Sequence, residues 1–234
     1  MHRQMRVDQL IARTRDASNV VVVCGAGIST ASGAPDFKTL YRKDPKLSLA
    51  LDRKHFARHT ASLARFLLEF SAHHTPGEAH HLLARLEDSD KLLRCYTMNL
   101  DGLEERAVDS SRVRCVHGKI DDPARCGKQR VSSETLLAVA EAHNGFERYR
   151  ADHGCNLRPG FVLYGDSVRH LDEMSVDLKH ADLILVMGTR LNVEPVAGLV
   201  RGSRHKVIGI NNEPIDEIDT VVGSCEEVCA RILG

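Results

Sequence analysis

The sequence predicts an α/β protein in which a parallel sheet is packed between helices. Residues 20–24, four valines and a cysteine, form a continuous apolar run that is typical of a strand buried on both faces of a parallel sheet. Four more short apolar runs follow at 92–97, 113–116, 183–187 and 207–210, and segments with helical character separate them. This alternation of strands and helices is the pattern of α/β proteins.

The helices are predicted from apolar spacing and from capping residues. Residues 8–15 are expected to form a helix before the first strand, and the apolar side chains within 55–72 recur at helical spacing. A helix over 76–87 is predicted because Thr75-Pro76-Gly77-Glu78 matches an N-cap, a first-turn proline and a capping-box glutamate.

The stretch 119–160 interrupts this alternation. It is charged and rich in turn residues, so we interpret it as a small inserted module with one short helix near 133–143. The chain has seven cysteines, an odd count, and no C-x-x-C pair. We therefore expect no disulfide framework and a reducing compartment.

Composition limits the class of protein. Of the 234 residues 42% are hydrophobic, enough for the core of one large domain. The 32 basic and 32 acidic residues balance, which argues against a protein dedicated to nucleic acids or membrane surfaces. We interpret the basic segment 38–65 as a solvated helix face. No apolar run reaches the roughly 18 residues of a membrane helix, and the N-terminus lacks a secretory apolar region. An intracellular location, nucleus or cytoplasm, is expected.

Glycine and polar residues directly follow five of the predicted strands. In open parallel sheets, ligands bind in the crevice outside the carboxyl ends of the strands, so these residues predict a ligand site. The strand-end segments are Gly25-Ala26-Gly27-Ile28-Ser29-Thr30, Asn99-Leu100-Asp101-Gly102, His117-Gly118, Gly188-Thr189 and Asn211-Asn212.

The first of these segments suits a phosphate group. Gly25 and Gly27 allow a tight turn and the close approach of a pyrophosphate to backbone N–H groups, although a purely structural turn explains the pair equally well. A dehydrogenase of the usual Rossmann layout is disfavoured, because position 30 is Thr and no strand ends near residue 45. A P-loop is excluded, because no G-K-[ST] follows.

Three strand-end side chains are candidates for catalysis. A histidine titrates near pH 6.5 in water, so His117 suits a general base at neutral pH, while a structural histidine is the alternative. Asn99 and Asp101 could hold a carboxamide, a ribose hydroxyl or a water molecule, while Asp101 with Gly102 also matches an ordinary turn.

The strand-end residues belong to a longer ordered series of motifs. The series continues with Ser32-Gly33-Ala34-Pro35-Asp36-Phe37, Thr97-Met98-Asn99-Leu100-Asp101-Gly102-Leu103, Leu157-Arg158-Pro159, Gly188-Thr189-Arg190-Leu191 with Val193 and Pro195, and Asn211-Asn212-Glu213-Pro214. In this order, over residues 18–233, the series resembles the sirtuin protein deacylases. Each motif is short, but the ordered set is specific.

The resemblance implies a single catalytic domain over 1–234, with a Rossmann-like large part and small-module insertions. NAD and an acyl-lysine protein or peptide would meet between these parts, with histones among the candidate substrates. The implied products are lysine, nicotinamide and O-acyl-ADP-ribose. The large part would comprise 1–40, 75–118 and 161–234, and the insertions 41–74 and 119–160.

The resemblance also implies roles for individual residues. His117 would be the base that acts on a ribose hydroxyl, Asn99 would position the ribose and a water molecule, and Asp101 would hold the nicotinamide carboxamide. The residues implied to line the acyl-lysine tunnel are Val162, Tyr164 and Gly165. Those implied to lie along NAD are Gly25, Ala26, Gly27, Ser29, Thr30, Asp36, Phe37, Lys38, Met98, Gly188, Thr189, Asn211 and Cys225.

The chain departs from the family pattern at four places. Met98 replaces a glutamine, Lys38 an arginine and Arg190 a serine. The zinc-binding cysteine pairs are reduced to Cys126 and Cys155, so we expect zinc to be absent, with these two cysteines as weak candidate ligands beside His143 or His153.

These departures leave three hypotheses for the function. The first is a protein deacylase, which the apolar segment 161–164 favours, with acetyl as the expected acyl group. The second is an ADP-ribosyltransferase or NAD hydrolase. The third is a catalytically weak module that binds NAD or a peptide.

Overall fold

A computed structural model describes residues 4–70 and 74–234, and the chain divides into two compact units. We call them the first unit, whose described residues are 4–34, 74–116 and 169–234, and the second unit, with 35–70 and 117–168. The basic residues 1–3 and the last two residues of the helix predicted over 55–72 lie outside the described residues. The domain boundaries inferred from the sequence remain a prediction.

The structure contains eleven α-helices and nine strands among the described residues. The helices are α1 (Val7–Asp16), α2 (Phe37–Lys43), α3 (Leu47–Ala50), α4 (Thr60–Phe70), α5 (Glu78–Asp88), α6 (Leu103–Ala107), α7 (Ser133–Glu141), α8 (Gly145–His153), α9 (Leu171–His180), α10 (Val196–Gly202) and α11 (Cys225–Leu233). The strands are β1 (Val20–Cys24), β2 (Leu92–Thr97), β3 (Val113–Cys115), β4 (Ala124–Cys126), β5 (Gln129–Val131), β6 (Leu157–Arg158), β7 (Leu183–Met187), β8 (Val207–Asn211) and β9 (Asp219–Val222). In the described part of the chain, no helix has the length and apolar character that crossing a bilayer requires.

The first unit is built on a six-stranded parallel sheet in the order β3-β2-β1-β7-β8-β9. Every residue of β1 and β7 is buried, so both faces of these strands are covered. The α/β fold class and the five predicted strands of the parallel sheet are therefore confirmed. The four-residue edge strand β9, which pairs with β8, was not predicted.

One face of this sheet packs against α1, α5 and α11. Val22 of β1 lies in a buried cluster with Leu10 of α1, Leu83 of α5 and Val228 of α11. Complete burial of one such side chain contributes roughly 1.5–3 kcal/mol, against which the conformational entropy of folding acts. This packing fixes the direction of β1 and thus the position of its carboxyl end.

Helix α5 begins at Glu78, two residues later than predicted, and the capping box predicted for Glu78 is wrong. Gly77 is the N-cap and has no side chain, so other groups serve the first turn. Nδ1 of His80 accepts a hydrogen bond from the Gly77 N–H at 3.1 Å. The Glu226 carboxylate of α11 accepts from the N–H groups of Glu78 and Ala79 at 3.1 and 3.4 Å.

The second unit combines helices α2, α3, α4, α7 and α8 with an antiparallel sheet in the order β5-β4-β6. The helix predicted near 133–143 is confirmed as α7, but the second helix, α8, was not predicted. Asn144 adopts a left-handed conformation with φ of 52° and separates the two helices. Phe56 lies on a separate 3₁₀ turn before α4. The small sheet was not predicted, since strands of two or three residues carry no recognisable period.

Cys126 and Cys155 form a disulfide, with Cα atoms 5.5 Å apart. The expectation that the chain has no disulfide framework is therefore wrong, and the two cysteines that were weak candidate metal ligands carry no free thiol in this structure. The pairing of Cys126 with Leu157 between β4 and β6 brings Cys155, two residues before Leu157, close to Cys126. Spacing alone could not reveal this, because the two cysteines are 29 residues apart.

Reduction of this disulfide is expected to destabilise the protein. A cross-link between residues 29 apart stabilises by about 3 kcal/mol or slightly more in the chain-entropy model. Cys126→Ser and Cys155→Ser should each lower the Tm in thermal denaturation, and dithiothreitol should lower the Tm of the wild type but not of these variants. Cys229→Ser, which removes a buried free thiol, should keep the sensitivity to dithiothreitol. Titration of the unfolded, unreduced wild type should detect only the thiols of Cys24, Cys95, Cys115, Cys225 and Cys229, and detection of all seven would contradict the disulfide.

Candidate active site

Backbone hydrogen bonds continue beyond the strand ends of the first unit. The N–H of Gly25 donates to Met187 O at 2.9 Å, and the N–H of Gly188 donates to Ile210 O at 3.0 Å. The N–H of Met98 donates to Cys24 O at 3.0 Å. The segments that follow β1, β2, β7 and β8 therefore meet at one edge of the sheet, where the sequence analysis expected a ligand.

The glycines at this edge are required by close backbone contacts. A Cβ atom on Gly27 would lie 2.7 Å from the Cα of Gly188, and Gly188 has a φ of +65°. The N–H of Gly27 donates to Gly188 O at 2.8 Å across this contact. The turn after β1 consequently presents backbone without side chains at residues 25 and 27, which suits the approach of a pyrophosphate.

Asn99 is buried and held by several hydrogen bonds. Its N–H donates to Oγ1 of Thr97 at 3.0 Å, and its Nδ2 donates to Oε1 of Glu104 at 2.8 Å. The same Nδ2 lies 3.3 Å from Gly25 O and 3.5 Å from Oγ of Ser29. The side chain predicted to position a ribose and a water molecule is thus fixed by residues of β2, α6 and the turn after β1.

Glu104 is completely buried beneath Asn99. Its Oε1 accepts hydrogen bonds from Thr97 and Asn99, whereas its Oε2 has no hydrogen-bond partner in the described residues. Burial raises the pKa of Glu104 to about 7, and the nearby charge of Asp101 acts in the same direction. The hydrogen bonds from Thr97 and Asn99 oppose this shift.

His80 extends the buried polar network to Ser29. Because Nδ1 of His80 accepts from the N–H of Gly77, the ring proton is assigned to Nε2, which lies 3.4 Å from Oγ of Ser29. Burial lowers the pKa of His80, although the charges of Asp101 and Glu226 act against the shift. Ser29 is fully buried, so its hydroxyl faces His80 and Asn99 rather than solvent.

Glu104 and His80 were not predicted from the sequence. Glu104 lies just after the strand-end motif, and no sequence feature marks a glutamate as buried. His80 did carry a signal, because it follows Ala79 and precedes Leu83 on the apolar face of α5.

The other residues of the first unit that were expected to contact NAD follow the strand ends at the same edge of the parallel sheet. Asp101 accepts from the N–H of Leu103 at 3.0 Å, and Thr189 accepts from the N–H of Leu191 at 3.0 Å. Met98 is buried, Thr30 is exposed, and Ala26 lies in the 3₁₀ turn after β1.

Two further expected contacts follow β8. Nδ2 of Asn211 donates to Glu213 O at 2.9 Å, and the buried Sγ of Cys225 donates to Ile210 O at 3.4 Å. Burial raises the pKa of Cys225 to about 12, so this residue stays a neutral thiol at physiological pH. Arg190, which departs from the family pattern, forms an ion pair with Glu213, and both side chains are about half exposed.

The second unit carries His117 and the residues expected to contact acyl-lysine. The carbonyl oxygen of His117 accepts from the N–H of Val162 at 2.7 Å. Tyr164 donates its N–H to Leu51 O at 2.8 Å, and its own carbonyl accepts from the N–H of Arg53 at 3.1 Å. Gly165 has a φ of +89°.

Asp36, Phe37 and Lys38 also belong to the second unit, at the start of α2. Asp36 caps this helix, accepting from the N–H of Thr39 at 2.8 Å. Burial by itself would raise the pKa of Asp36, but the hydrogen bonds from Thr39 hold it below its ordinary value. The Lys38 side chain is exposed.

Phe37 belongs to an aromatic cluster with Phe66, Phe70 and Phe161. The ring centroids of Phe37 lie 6.4 Å from Phe66 and 6.5 Å from Phe70, and Phe66 lies 6.0 Å from Phe161. Phe66, Phe70 and Phe161 are buried and Phe37 is partly exposed, so the cluster forms an apolar core of the second unit between α2, α4 and the segment before Val162.

The cysteines and histidines of the second unit do not fit a structural zinc site. Zinc of this type needs four ligands, mostly thiolates, but Cys126 and Cys155 are bonded to each other. The His153 ring stacks on Tyr149, and its Nδ1 lies 3.0 Å from Tyr149 O. Over residues 4–70 and 74–234, no group of three or more His, Cys, Asp or Glu side chains could hold a metal ion.

The Glu104 pKa predicts a pH dependence of stability. The folded-state pKa of about 7 exceeds the ordinary value of 4.5, so the stabilising contribution is fully present below pH 4.5 and is lost as the pH rises through 7. The difference corresponds to at most about 3 kcal/mol. The free energy of unfolding, measured by urea denaturation, should therefore decrease more between pH 5 and pH 8 for the wild type than for Glu104→Gln, which cannot titrate at this position.

The neighbouring Glu105→Gln provides the matched control and should keep the wild-type difference between the two pH values. Equal differences for the wild type and Glu104→Gln would contradict the raised pKa.

A comparison with protein families matches residues 25–195 to the Sir2 family. The matched segment includes the strand-end motifs from Gly25 to Gly188 and all of the second unit.

Relatives with described activities are similar over nearly the whole chain. A Bacillus subtilis protein named NAD-dependent protein deacetylase is 32% identical over 241 residues, which cover 94% of this chain and 95% of that protein. The NAD-dependent histone deacetylase SIR2 of Candida albicans is 32% identical over 258 residues, which cover 97% of this chain but 49% of that protein. The chain thus spans about half the length of the Candida relative. A solved structure described as Sir2 with a p53 peptide and NAD+ has a TM-score of 0.79 and 26% identity, and the match covers 98% of each chain.

Proposed function

The chain belongs to the Sir2 family, and on this premise we propose that it is an NAD-dependent protein deacetylase acting on acyl-lysine side chains. One observation carries the proposal. The glycine turn at 25–27 and the buried Asn99 network lie at the same edge of the parallel sheet, on motifs that the family match covers. An acyl-lysine protein or peptide is the second substrate, in agreement with the peptide named for the similar solved structure.

The residues of the first unit suit a dinucleotide. The backbone at Gly25, Gly27 and Gly188 would hold the pyrophosphate, because no side chain there prevents its approach. Asn99 and Asp101 would bind the ribose and the nicotinamide carboxamide, respectively. NAD supplies the ADP-ribose group that accepts the acyl group, and nicotinamide is the leaving group.

The remaining contacts to NAD are assigned by the same motifs. Thr189 and Asn211 would bind the phosphates and the adenosine ribose, and Cys225 would contact the adenine through its backbone. Phe37 of the second unit would shield the reactive carbon of the nicotinamide ribose.

His117 is proposed as the general base that takes a proton from a ribose hydroxyl. Its backbone is held by the hydrogen bond from the N–H of Val162. Since Val162 and Tyr164 belong to the segment proposed to bind acyl-lysine, the second unit fixes the base and this segment relative to each other. The hydrogen bond between Val162 and His117 therefore links the proposed base to the segment proposed to bind acyl-lysine.

Tyr164 is proposed to contact acyl-lysine through its side chain. Both of its main-chain groups are paired with Leu51 and Arg53, so they are not free to pair with a substrate strand. The Tyr164 side chain is 47% exposed, and its hydroxyl lies 2.8 Å from the hydroxyl of Tyr41. Val162 and Gly165 would line the acyl-lysine tunnel beside it, although the Val162 N–H is paired with His117 O and the Gly165 carbonyl with the Arg53 guanidinium.

We expect His117→Ala to abolish deacetylation while the affinity for NAD stays within about threefold, because the base acts on the reaction and not on binding of the dinucleotide. Nicotinamide release with an acetylated peptide measures turnover, and isothermal titration measures NAD binding. His205→Ala changes an exposed histidine and should retain wild-type turnover. Wild-type turnover in His117→Ala would remove His117 from the role of base.

The same assay separates the three hypotheses for the wild type. Nicotinamide release that matches peptide deacetylation mole for mole supports the proposed function. Release without deacetylation indicates ADP-ribosyl transfer or NAD hydrolysis. Measurable NAD binding without release indicates a binding module.

The acyl group is expected to be uncharged. The segment 161–164, which is proposed to line the acyl-lysine site, is apolar and would remove water from a carboxylate without pairing its charge. The nearby Arg158 already pairs with Asp166 at 2.8 Å. We therefore expect kcat/KM for a succinyl-lysine peptide to be at least about tenfold below that for the acetyl peptide.

A butyryl-lysine peptide serves as the control, because it has the same number of acyl carbons as succinyl but no charge. It should react faster than the succinyl peptide. A succinyl peptide that reacts faster than the acetyl peptide would contradict this assignment.

A further inference from the structure

Thr97, Asn99 and Glu104 form a closed ring of hydrogen bonds in the first unit. Thr97 Oγ1 accepts from the Asn99 N–H at 3.0 Å and donates to Glu104 Oε1 at 2.8 Å. The ring closes when Asn99 Nδ2 donates to the same Oε1 at 2.8 Å. Asn99 and Glu104 are both buried, so water does not compete for these groups.

This ring determines which end of the Asn99 amide is the nitrogen. The amide atom beside Glu104 also lies 3.3 Å from Gly25 O, and a carbonyl oxygen only accepts hydrogen bonds. An amide oxygen at this position would face two acceptors, whereas Nδ2 has one proton for each of them. Both amide protons are thus directed at the protein, and Oδ1 is the atom that remains for a ligand.

We propose that Glu104 is a positioning residue, which holds the Asn99 carboxamide so that Oδ1 is offered to the ligand as a hydrogen-bond acceptor. The role in turnover rests on the proposed deacetylase function, and the orientation of the amide does not. With Oδ1 outward, Asn99 accepts a hydrogen bond from a ribose hydroxyl or from a water molecule. It cannot donate to them, because its two protons are already engaged.

The two oxygens of Glu104 have different roles. Oε1 accepts from both Thr97 and Asn99, while Oε2 has no hydrogen-bond partner in the described part of the chain. A glutamine can place its amide oxygen at Oε1 and accept the same two hydrogen bonds. Glu104→Gln should therefore preserve the orientation of Asn99, whereas Glu104→Leu removes it.

The orientation is tested in the protein without ligands. In protein labelled with nitrogen-15 asparagine, the side-chain signals of Asn99 are assigned by their loss in Asn99→Ala. Their exchange with solvent should be slow in the wild type and in Glu104→Gln, and at least about tenfold faster in Glu104→Leu. Glu105→Leu makes the same change at the next position of α6 and should leave the exchange slow. Equal exchange in the wild type and Glu104→Leu would overturn the proposal.

The role in turnover is tested by a double-mutant cycle. Glu104→Leu should lower kcat for the acetylated peptide at least about tenfold while the Kd for NAD stays within about threefold, and Glu104→Gln should restore kcat. In an Asn99→Ala background, Glu104→Leu should change kcat less than about twofold, because it acts only through Asn99. If Glu104→Leu lowers kcat as much in the Asn99→Ala background as it does in the wild type, the proposal is overturned, because Glu104 would then act independently of Asn99.

A second variant covers the case in which Glu104→Leu does not fold. Thr97→Val removes one donor to Oε1 and the acceptor of the Asn99 N–H, and it should increase the exchange of the Asn99 amide and lower kcat in the same way. A wild type without deacetylase activity would refute the proposed function, and the exchange experiment would still decide the orientation of Asn99.

Discussion

The register of the parallel sheet is the constraint on which the candidate active site depends. Hydrogen bonds past the strand ends, such as those of Gly25 with Met187 and of Gly188 with Ile210, join the following loops into one edge. Gly27 and Gly188 approach so closely that neither position has room for a side chain. A shift of one residue in β1 or β7 would reverse the direction of every side chain in that strand and separate this contact. Asn99 depends on the same register, because its amide donates to the carbonyl of Gly25.

The buried polar network around Glu104 lowers the stability of the fold but holds the Asn99 amide in one orientation. Removing a carboxyl group from water is unfavourable, and the raised pKa of Glu104 reflects this. The two hydrogen bonds at Oε1 offset only part of this cost of burying the carboxyl group, since Oε2 has no hydrogen bond among the described residues. We interpret the arrangement as a loss of stability that selects one orientation of the Asn99 amide. Ser29 and His80 extend the network, so the side chains behind the glycine turn are also fixed.

The second unit is stabilised by other interactions. Its sheet has strands of only two or three residues, and a disulfide connects Cys126 with Cys155 at the position where the family pattern has zinc-binding cysteines. A cross-link and a zinc ion both tie distant parts of a small module together, but the cross-link leaves no thiolates for a metal. Aromatic rings from α2 and α4 pack together in this unit. His117 and Tyr164 are thus carried by a small unit whose backbone is fixed by a few specific contacts.

The fold class, the five main strands and the strand-end residues could be predicted from the sequence, because the apolar period and the residues that end a strand are visible within a few positions. The sequence also indicated Asn99 and His117 as candidates. Four features became visible only in the folded chain: the start of α5 at Glu78, the helix α8, the burial of Glu104 and the disulfide. Glu226 is far along the chain from the helix end it serves, and Cys155 lies 29 residues from Cys126. Such contacts, and the burial of a charged side chain, depend on which distant segments pack together, and no local pattern of residues records that.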